Sequence, residues 1–203
     1  MKLIQMKALI TAGDFELTHD FASIQDDIDT GLRAMEWPPG TKSFSLNPTL
    51  KGNGVKPIKS AFMKHLGERG WFLEHRMELG SRLKPGPVDA VRPVGSKKFF
   101  AVEWETGNIS SSHRAVNKMA LGLIDGLLAG GILILPSRHM YKYLTDRVGN
   151  FEELEPYFPI WEKLNIDEGY LAILEIEPDA YSEDVPLFPK GTDGWNLYQN
   201  RNG

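Results

Sequence analysis

Apolar positions along the chain follow two periods. Between residues 19 and 35, Phe21, Ile24, Ile28, Leu32 and Met35 recur at spacings of three and four, which lines one face of a helix. That segment runs into WPPG, which cannot continue it. KPIKSAFMKHLGERGW repeats the pattern with Ile58, Phe62 and Leu66. Pro57 falls in its first turn and Gly70 offers a stop. Lys56, Lys59 and Lys64 take the remaining surface, a solvated face for which a phosphate-facing role is available. From Trp71 the period shortens. WFLEHRMEL, PVDAVRPV and KKFFAVEWET read as strands, the last two joined as a hairpin through RPVGSKK. A helix is predicted from about Ser110 to Leu128, then an apolar strand GILILP, helical segments around SRHMYKYLTDRV and FEELEPYFPIWEKL, and a strand in GYLAILEIEP. Helices interleaved with a strand meander predict an α/β fold, a central mixed sheet flanked by helices.

Length and charge narrow the picture. A chain of 203 residues with 41% hydrophobic content buries one sizeable core, so a single domain over residues 1–203 is expected. The longest apolar run, MALGLIDGLLAGGILIL, is interrupted by Asp125 and four glycines and falls short of the roughly 20 residues a bilayer requires. No membrane association and a cytoplasmic location are expected. Cysteine is absent, which removes a disulfide framework. The net charge of −4 and pI of about 5.8 give no global cationic signal, so any nucleic-acid contact must come from a local basic surface.

The chemistry gathers at residues 97–119, KKFFAVEWETGNISSSHRAVNKM. In a strand, Phe99, Ala101, Glu103 and Glu105 share one face while Phe100, Val102 and Trp104 share the other. Two carboxylates emerging together repel unless a basic group, a shared proton or a divalent metal lies between them. Asp89, on the preceding strand of the hairpin, brings a third. Three clustered oxygen ligands fit Mg²⁺, which keeps several waters and is commonly completed by phosphate oxygens. Such a site points to phosphodiester hydrolysis.

EWETGNISSSHRAVNK resembles the catalytic strand and following helix start of the BamHI-like type II restriction endonucleases, in which two glutamates one apart are followed by Asn, Ser and Arg. Here these are Glu103, Glu105, Asn108, Ser110 and Arg114. Downstream, YLTDRVGN holds Asp146 and Arg147, matching the family's Asp-Arg dipeptide. The resemblance is strongest over residues 89–147, within a catalytic and recognition core of about 71–176. KPIKSAFMKHLGERGW is also similar to a helix of the neighbouring BglII and BstYI enzymes, but those carry Gln where this chain has Glu105.

The resemblance implies the restriction-endonuclease-like fold and roles residue by residue. Asp89, Glu103 and Glu105 would be the catalytic carboxylates, with Asp89 and Glu103 on Mg²⁺ and a further ligand from Glu74 or Glu78. Glu105, where most nucleases of this fold carry lysine, would act as general base or orient the attacking water. Asn108, Ser110, Arg114, Asp146 and Arg147 would read base edges, and Lys118 would contact a phosphate. The implied activity is Mg²⁺-dependent cleavage of double-stranded DNA by a homodimer at a palindrome centred on GATC, with GGATCC the leading candidate, leaving 5′-phosphate ends and a GATC overhang. A stripe of Ala115, Met119, Leu123 and Leu127 on the helix from Ser110 is an interface element if it does not pack in the core. The terminal WNLYQNRNG, aromatic and basic, suits a DNA groove. Two other classes compete: a catalytically inactive, sequence-specific DNA-binding protein of the same fold, and a carbohydrate- or peptide-binding domain with a surface carboxylate pair.

Overall fold

The computed structural model describes residues 1–79, 86–95, 97–145 and 147–190. In chain order the elements are β1 (Lys2–Ala12), α1 (His19–Arg33), β2 (Ser45–Leu46), α2 (Lys56–Glu68), β3 (Phe72–His75), β4 (Val88–Val94), β5 (Lys98–Trp104), α3 (Ile109–Ile124), β6 (Leu128–Pro136), α4 (Arg138–Tyr141), α5 (Phe151–Leu154), α6 (Phe158–Glu162), β7 (Gly169–Glu177) and β8 (Ala180–Tyr181). Six strands form one mixed sheet in the order β1-β7-β6-β5-β4-β3, and β2 and β8 form a small parallel pair. The middle strands β5, β6 and β7 run parallel. β6 is buried along its whole length, as expected of a strand covered on both faces.

The strand faces divide the core in two. Ile24, Ile28 and Leu32 of α1 and Ile58, Phe62 and Leu66 of α2 pack with Phe100, Val102 and Trp104. On the other face Val116, Met119 and Leu123 of α3, with Phe158 and Trp161, pack with Val88, Val91, Ala101 and Leu133. The period-two reading of β5 and the helical reading of α1 and α2 therefore hold. Gly70, at φ +87°, closes the turn after α2, a conformation glycine adopts without a Cβ penalty.

A buried carboxylate ties the first layer to the hairpin. Asp27 of α1, 2% exposed, accepts hydrogen bonds from Arg69 Nε (2.7 Å), Trp71 Nε1 (2.9 Å) and Arg92 Nη1 (2.6 Å). The end of α2, the approach to β3 and strand β4 are thereby held to one side chain. The three partners are the reason a buried charge is tolerated there.

Several elements differ from the sequence expectation. The N-terminal segment, which shows only a short apolar patch, is edge strand β1, antiparallel to β7. Two register shifts, at Leu3/Gln5 and Ala8/Ile10, destroy the alternation that would have revealed it. The predicted helix to Leu128 ends at Ile124, because Gly126 turns the chain at φ +67°. Its cap is Asn108, whose Oδ1 accepts from Ser111 N at 3.3 Å. Met119 and Leu123 of the expected interface stripe are core residues, while Leu127 lies beyond the helix; the exposed apolar residues of α3 are Leu121 and Ile124. SRHMYKYLTDRV is helical only over α4, because Asn53 takes the following backbone: Asn53 N donates to Tyr143 O (2.9 Å) and Thr145 N to Asn53 O (2.8 Å). Pro156 and Pro159 divide FEELEPYFPIWEKL into α5, a 3₁₀ turn and α6. Of WFLEHRMEL only Phe72–His75 is strand.

Candidate active site

The hairpin of β4 and β5 sets three acids in a row. β3 pairs with β4 at Leu73–Ala90 and His75–Val88, and β4 pairs with β5 at Ala90–Val102. These registers put Glu74 opposite Asp89, and Asp89 opposite Glu103, across three adjacent strands. Glu74 itself adopts φ +48°, a conformation uncommon outside glycine, and its side chain is 62% exposed. Asp89 and Glu103 are both buried. Asp89 N donates to Glu103 Oε2 (3.3 Å) and Trp104 N donates to Asp89 Oδ2 (2.8 Å), so backbone at the open end of the hairpin holds one oxygen of each.

Two lysines supply the counter-charge. Lys59 of α2 pairs with Asp89 Oδ1 and lies 3.7 Å from Glu74 Oε1. Lys118 of α3 pairs with Glu103 Oε1 and donates to Pro87 O at 3.3 Å. Lys118, expected at a phosphate, is thus turned to a carboxylate. Glu105, just past β5, has no lysine in this arrangement: Oε1 accepts from Gly107 N, and Oε2 from Ser112 Oγ at 2.9 Å. Burial pushes the carboxyls of Glu103 and Glu105 above the ordinary range. For Glu103, Lys118 opposes that shift and the Asp89 charge adds to it. For Glu105, the hydrogen bonds from Gly107 and Ser112 oppose it.

These acids line an open cleft of about 930 Å³ together with Lys59, Ser110 and Arg114. Among the described residues no three acidic or imidazole groups stand close enough to hold a metal ion; the two ammonium groups occupy that position. The donor set nevertheless suits a hard divalent cation. Asp89 and Glu103 offer adjacent carboxylate oxygens, Glu74 shares Lys59 with Asp89, and a 2+ ion replaces the charge the two lysines now provide. Mg²⁺ retains several waters, so one or two carboxylates suffice for it. Glu78 is exposed, and the strand registers align Glu74 rather than Glu78 with Asp89.

Of the base-reading candidates, Ser110 and Arg114 line the same cleft. Asn108 caps α3. Ser110 and Arg114 lie on the first turns of that helix, both exposed, and Arg114 Nη2 reaches Ser111 Oγ at 3.5 Å. Arg147 is exposed; Asp146, like the WNLYQNRNG tail, lies outside the described residues. The segment bearing Arg147 is fixed to the head of α3, because Gly149 N donates to Gly107 O at 2.9 Å.

Two residues of the site escape sequence reading. Lys59 looked like one of three surface lysines, although it precedes Phe62 and Met63, both buried, by three and four positions and so borders the apolar stripe. Ser112 hides in a run of three serines. Its distance of four from buried Val116 places it on the inward face, and it is fully buried.

Comparison with known proteins gives concordant results. A family model described as restriction endonuclease BamHI matches residues 1–195. The type II restriction enzyme OkrAI of Oceanobacter kriegii is 52% identical over 194 residues, covering 96% of this chain and 98% of that protein. The type II restriction enzyme BamHI of Bacillus amyloliquefaciens is 38% identical over 176 residues, covering 83% and 80%. A crystal structure of restriction endonuclease BglII complexed with a DNA 16-mer superposes with a TM-score of 0.61 at 12% identity, covering 95% of this chain and 91% of that one. At that identity the superposition speaks for the restriction-endonuclease-like fold alone.

Proposed function

The chain belongs to the BamHI family of type II restriction endonucleases, and from that premise we propose that it cleaves double-stranded DNA at a palindrome centred on GATC, GGATCC the leading candidate, with Mg²⁺ as its metal. The observation that carries this reading is the row of Glu74, Asp89 and Glu103 across three strands, of which Asp89 and Glu103 line, with Glu105, a cleft that the head of α3 also borders. Asp89, Glu103 and Glu74 would hold the cation, which would supply positive charge to the scissile phosphate and lower the pKa of its water.

The protein's own groups do the rest. Glu105, fixed at both oxygens and made more basic by burial, orients the attacking water and accepts its proton. Water adds to phosphorus in line with the 3′ oxygen, the P–O3′ bond breaks, and the phosphate stays on the 5′ end. Lys59 and Lys118, which pair with Asp89 and Glu103, would be free to meet incoming phosphates with a cation in their place. Arg114 and Arg147 are suited to guanine O6 and N7, Asp146 to cytosine N4, and Asn108 and Ser110 to further base edges.

A palindrome is best met by a twofold dimer. The faces that favour one are Leu121 and Ile124 of α3 and Tyr157 and Ile160 beside them, all exposed apolar side chains. The two helical segments are joined by Trp161 Nε1 donating to Asn117 Oδ1 at 2.8 Å, so these residues make one surface.

The test is incubation of the protein with unmethylated phage DNA in Mg²⁺, beside Ca²⁺ and Glu103→Ala controls, with the fragment ends sequenced. Discrete fragments with 5′ GATC overhangs, formed only with Mg²⁺ and intact Glu103, are expected. Fragments with another end sequence refute the site, and uncut DNA from a folded sample refutes the catalytic assignment.

A further inference from the structure

Glu105 is gripped by two donors that share one neighbour. Gly107 N–H holds Oε1 and the Ser112 hydroxyl holds Oε2. Gly149 touches both holders: its N–H donates to Gly107 O, and a methyl group there would sit 2.2 Å from Ser112 Oγ and 3.3 Å from Ile109 Cα. That approach is possible only for glycine, because no real Cβ comes so close. Two residues upstream of Gly149 stands exposed Arg147. The chain between is not slack, since Val148 and Leu144 are buried in the α1 and α2 side of the core and Thr145 N is bonded to Asn53 O. Downstream, Asn150 is buried and its Oδ1 caps α5 by accepting from Glu153 N at 3.2 Å.

We propose that Ser112 is a positioning residue that couples the seating of the base-reading segment 147–149 to the aim of the Glu105 carboxylate. Ser112 has no accessible surface, so it cannot touch DNA, unlike its neighbour Ser110 on the cleft. Its hydroxyl lies between the backbone that carries Arg147 and the acid that faces the attacking water. Correct engagement of Arg147 keeps Gly149 seated and both grips on Glu105 closed. A wrong base pair displaces the segment, Gly149 moves against Ser112, and Glu105 loses its orientation. Discrimination then appears in the cleavage step, beyond whatever binding supplies. The inference rests on the reading of Glu105 and Arg147 given above.

The experiment measures single-turnover cleavage of a GGATCC duplex at saturating enzyme in Mg²⁺, with affinity measured separately in Ca²⁺. Ser112→Ala is expected to slow cleavage roughly 10- to 100-fold, the loss of one hydrogen bond to a charged group, while affinity stays within about 3-fold because Ser112 makes no DNA contact. The deciding comparison is a cycle with Arg147→Ala. If the two residues act through one link, the double variant cleaves little more slowly than the slower single variant. Effects that multiply independently overturn the coupling, as does a Ser112→Ala rate equal to wild type with only the melting temperature lowered. Ser112→Cys keeps the packing and weakens the donor, and must show the same rate loss if Ser112→Ala does not fold. Glu105→Gln is measured alongside. Wild-type cleavage by Glu105→Gln refutes the role of Glu105 itself, whereas an inactive Glu105→Gln with a fully active Ser112→Ala refutes only the link.

Discussion

Replacing Lys118 with methionine removes a charge from the deepest part of the site and keeps its length. Lys118 and Glu103 are 17% and 11% exposed at their side chains, so solvent screens the pair little. Deleting one partner of such a pair costs about 3–5 kcal/mol when the remaining charge stays ionised. Glu103 has an escape, because it can take up a proton. From its ordinary value of 4.5, protonation at pH 7 costs about 1.36 kcal/mol for each of roughly 2.5 pH units, a ceiling of about 3.4 kcal/mol. A loss of about 1–3 kcal/mol at pH 7 without metal follows, reduced by the hydrogen bond from Asp89 N that remains.

The pH dependence carries the sign. Burial already holds Glu103 above its ordinary value in the folded chain, so ionising it opposes folding. Its contribution to stability is full below pH 4.5 and is lost as pH rises through the folded value. In Lys118→Met the folded value is higher still, and the loss continues to higher pH. The gap between wild type and variant is therefore smallest below the folded value of the wild type and opens as pH rises above it. Urea unfolding in EDTA across pH 5–8, with unchanged m-values, measures the gap. A gap independent of pH refutes the reasoning and reduces Lys118 to a packing residue.

Cleavage needs Glu105 ionised, so its rate at saturating Mg²⁺ should rise with pH through an acid limb above the ordinary carboxyl value of 4.5; a limb at or below that value contradicts the burial argument. Ca²⁺ at about 100 times its Kd should stabilise the wild-type protein by roughly 2.7 kcal/mol, and Asp89→Asn should abolish the effect in a thermal-shift titration. Equal stabilisation of both proteins would show that Asp89 is not a ligand. In β6, a methyl at Gly130 meets Phe100 at 2.5 Å and Tyr170 O at 3.1 Å, whereas one at Gly131 meets the Met119 sulfur at 2.6 Å. Gly130→Ala should cost about 1–3 kcal/mol and Gly131→Ala distinctly less, since a thioether moves aside more easily than a buried ring. The reverse order in chemical denaturation would refute this packing argument.

The most legible elements were those whose periodicity matched one partner face. β5 announced both its strand character and its two sides, and the adjacent hairpin led to Asp89. Elements shaped by distant backbone were less legible. The segment after Tyr141 leaves the helix because Asn53 claims its hydrogen bonds, and β1 hides its pairing behind two bulges. In the site, the acids could be read because they sit on neighbouring strands. Lys59 arrives from a helix distant in sequence, and Ser112 matters through Gly149, a contact that no local pattern encodes.

The alignment of Glu74, Asp89 and Glu103 has a consequence for the cell that makes this enzyme. Sliding β4 by one residue turns Asp89 to the opposite side of the sheet, and the lysines join only when α2 and α3 have docked. A chain still emerging from the ribosome, or one paired out of register, holds scattered acids and no cutting centre. On the proposed assignment of these acids, cutting of the producer's chromosome waits until the last layers close, so tertiary assembly itself would serve as the safety catch.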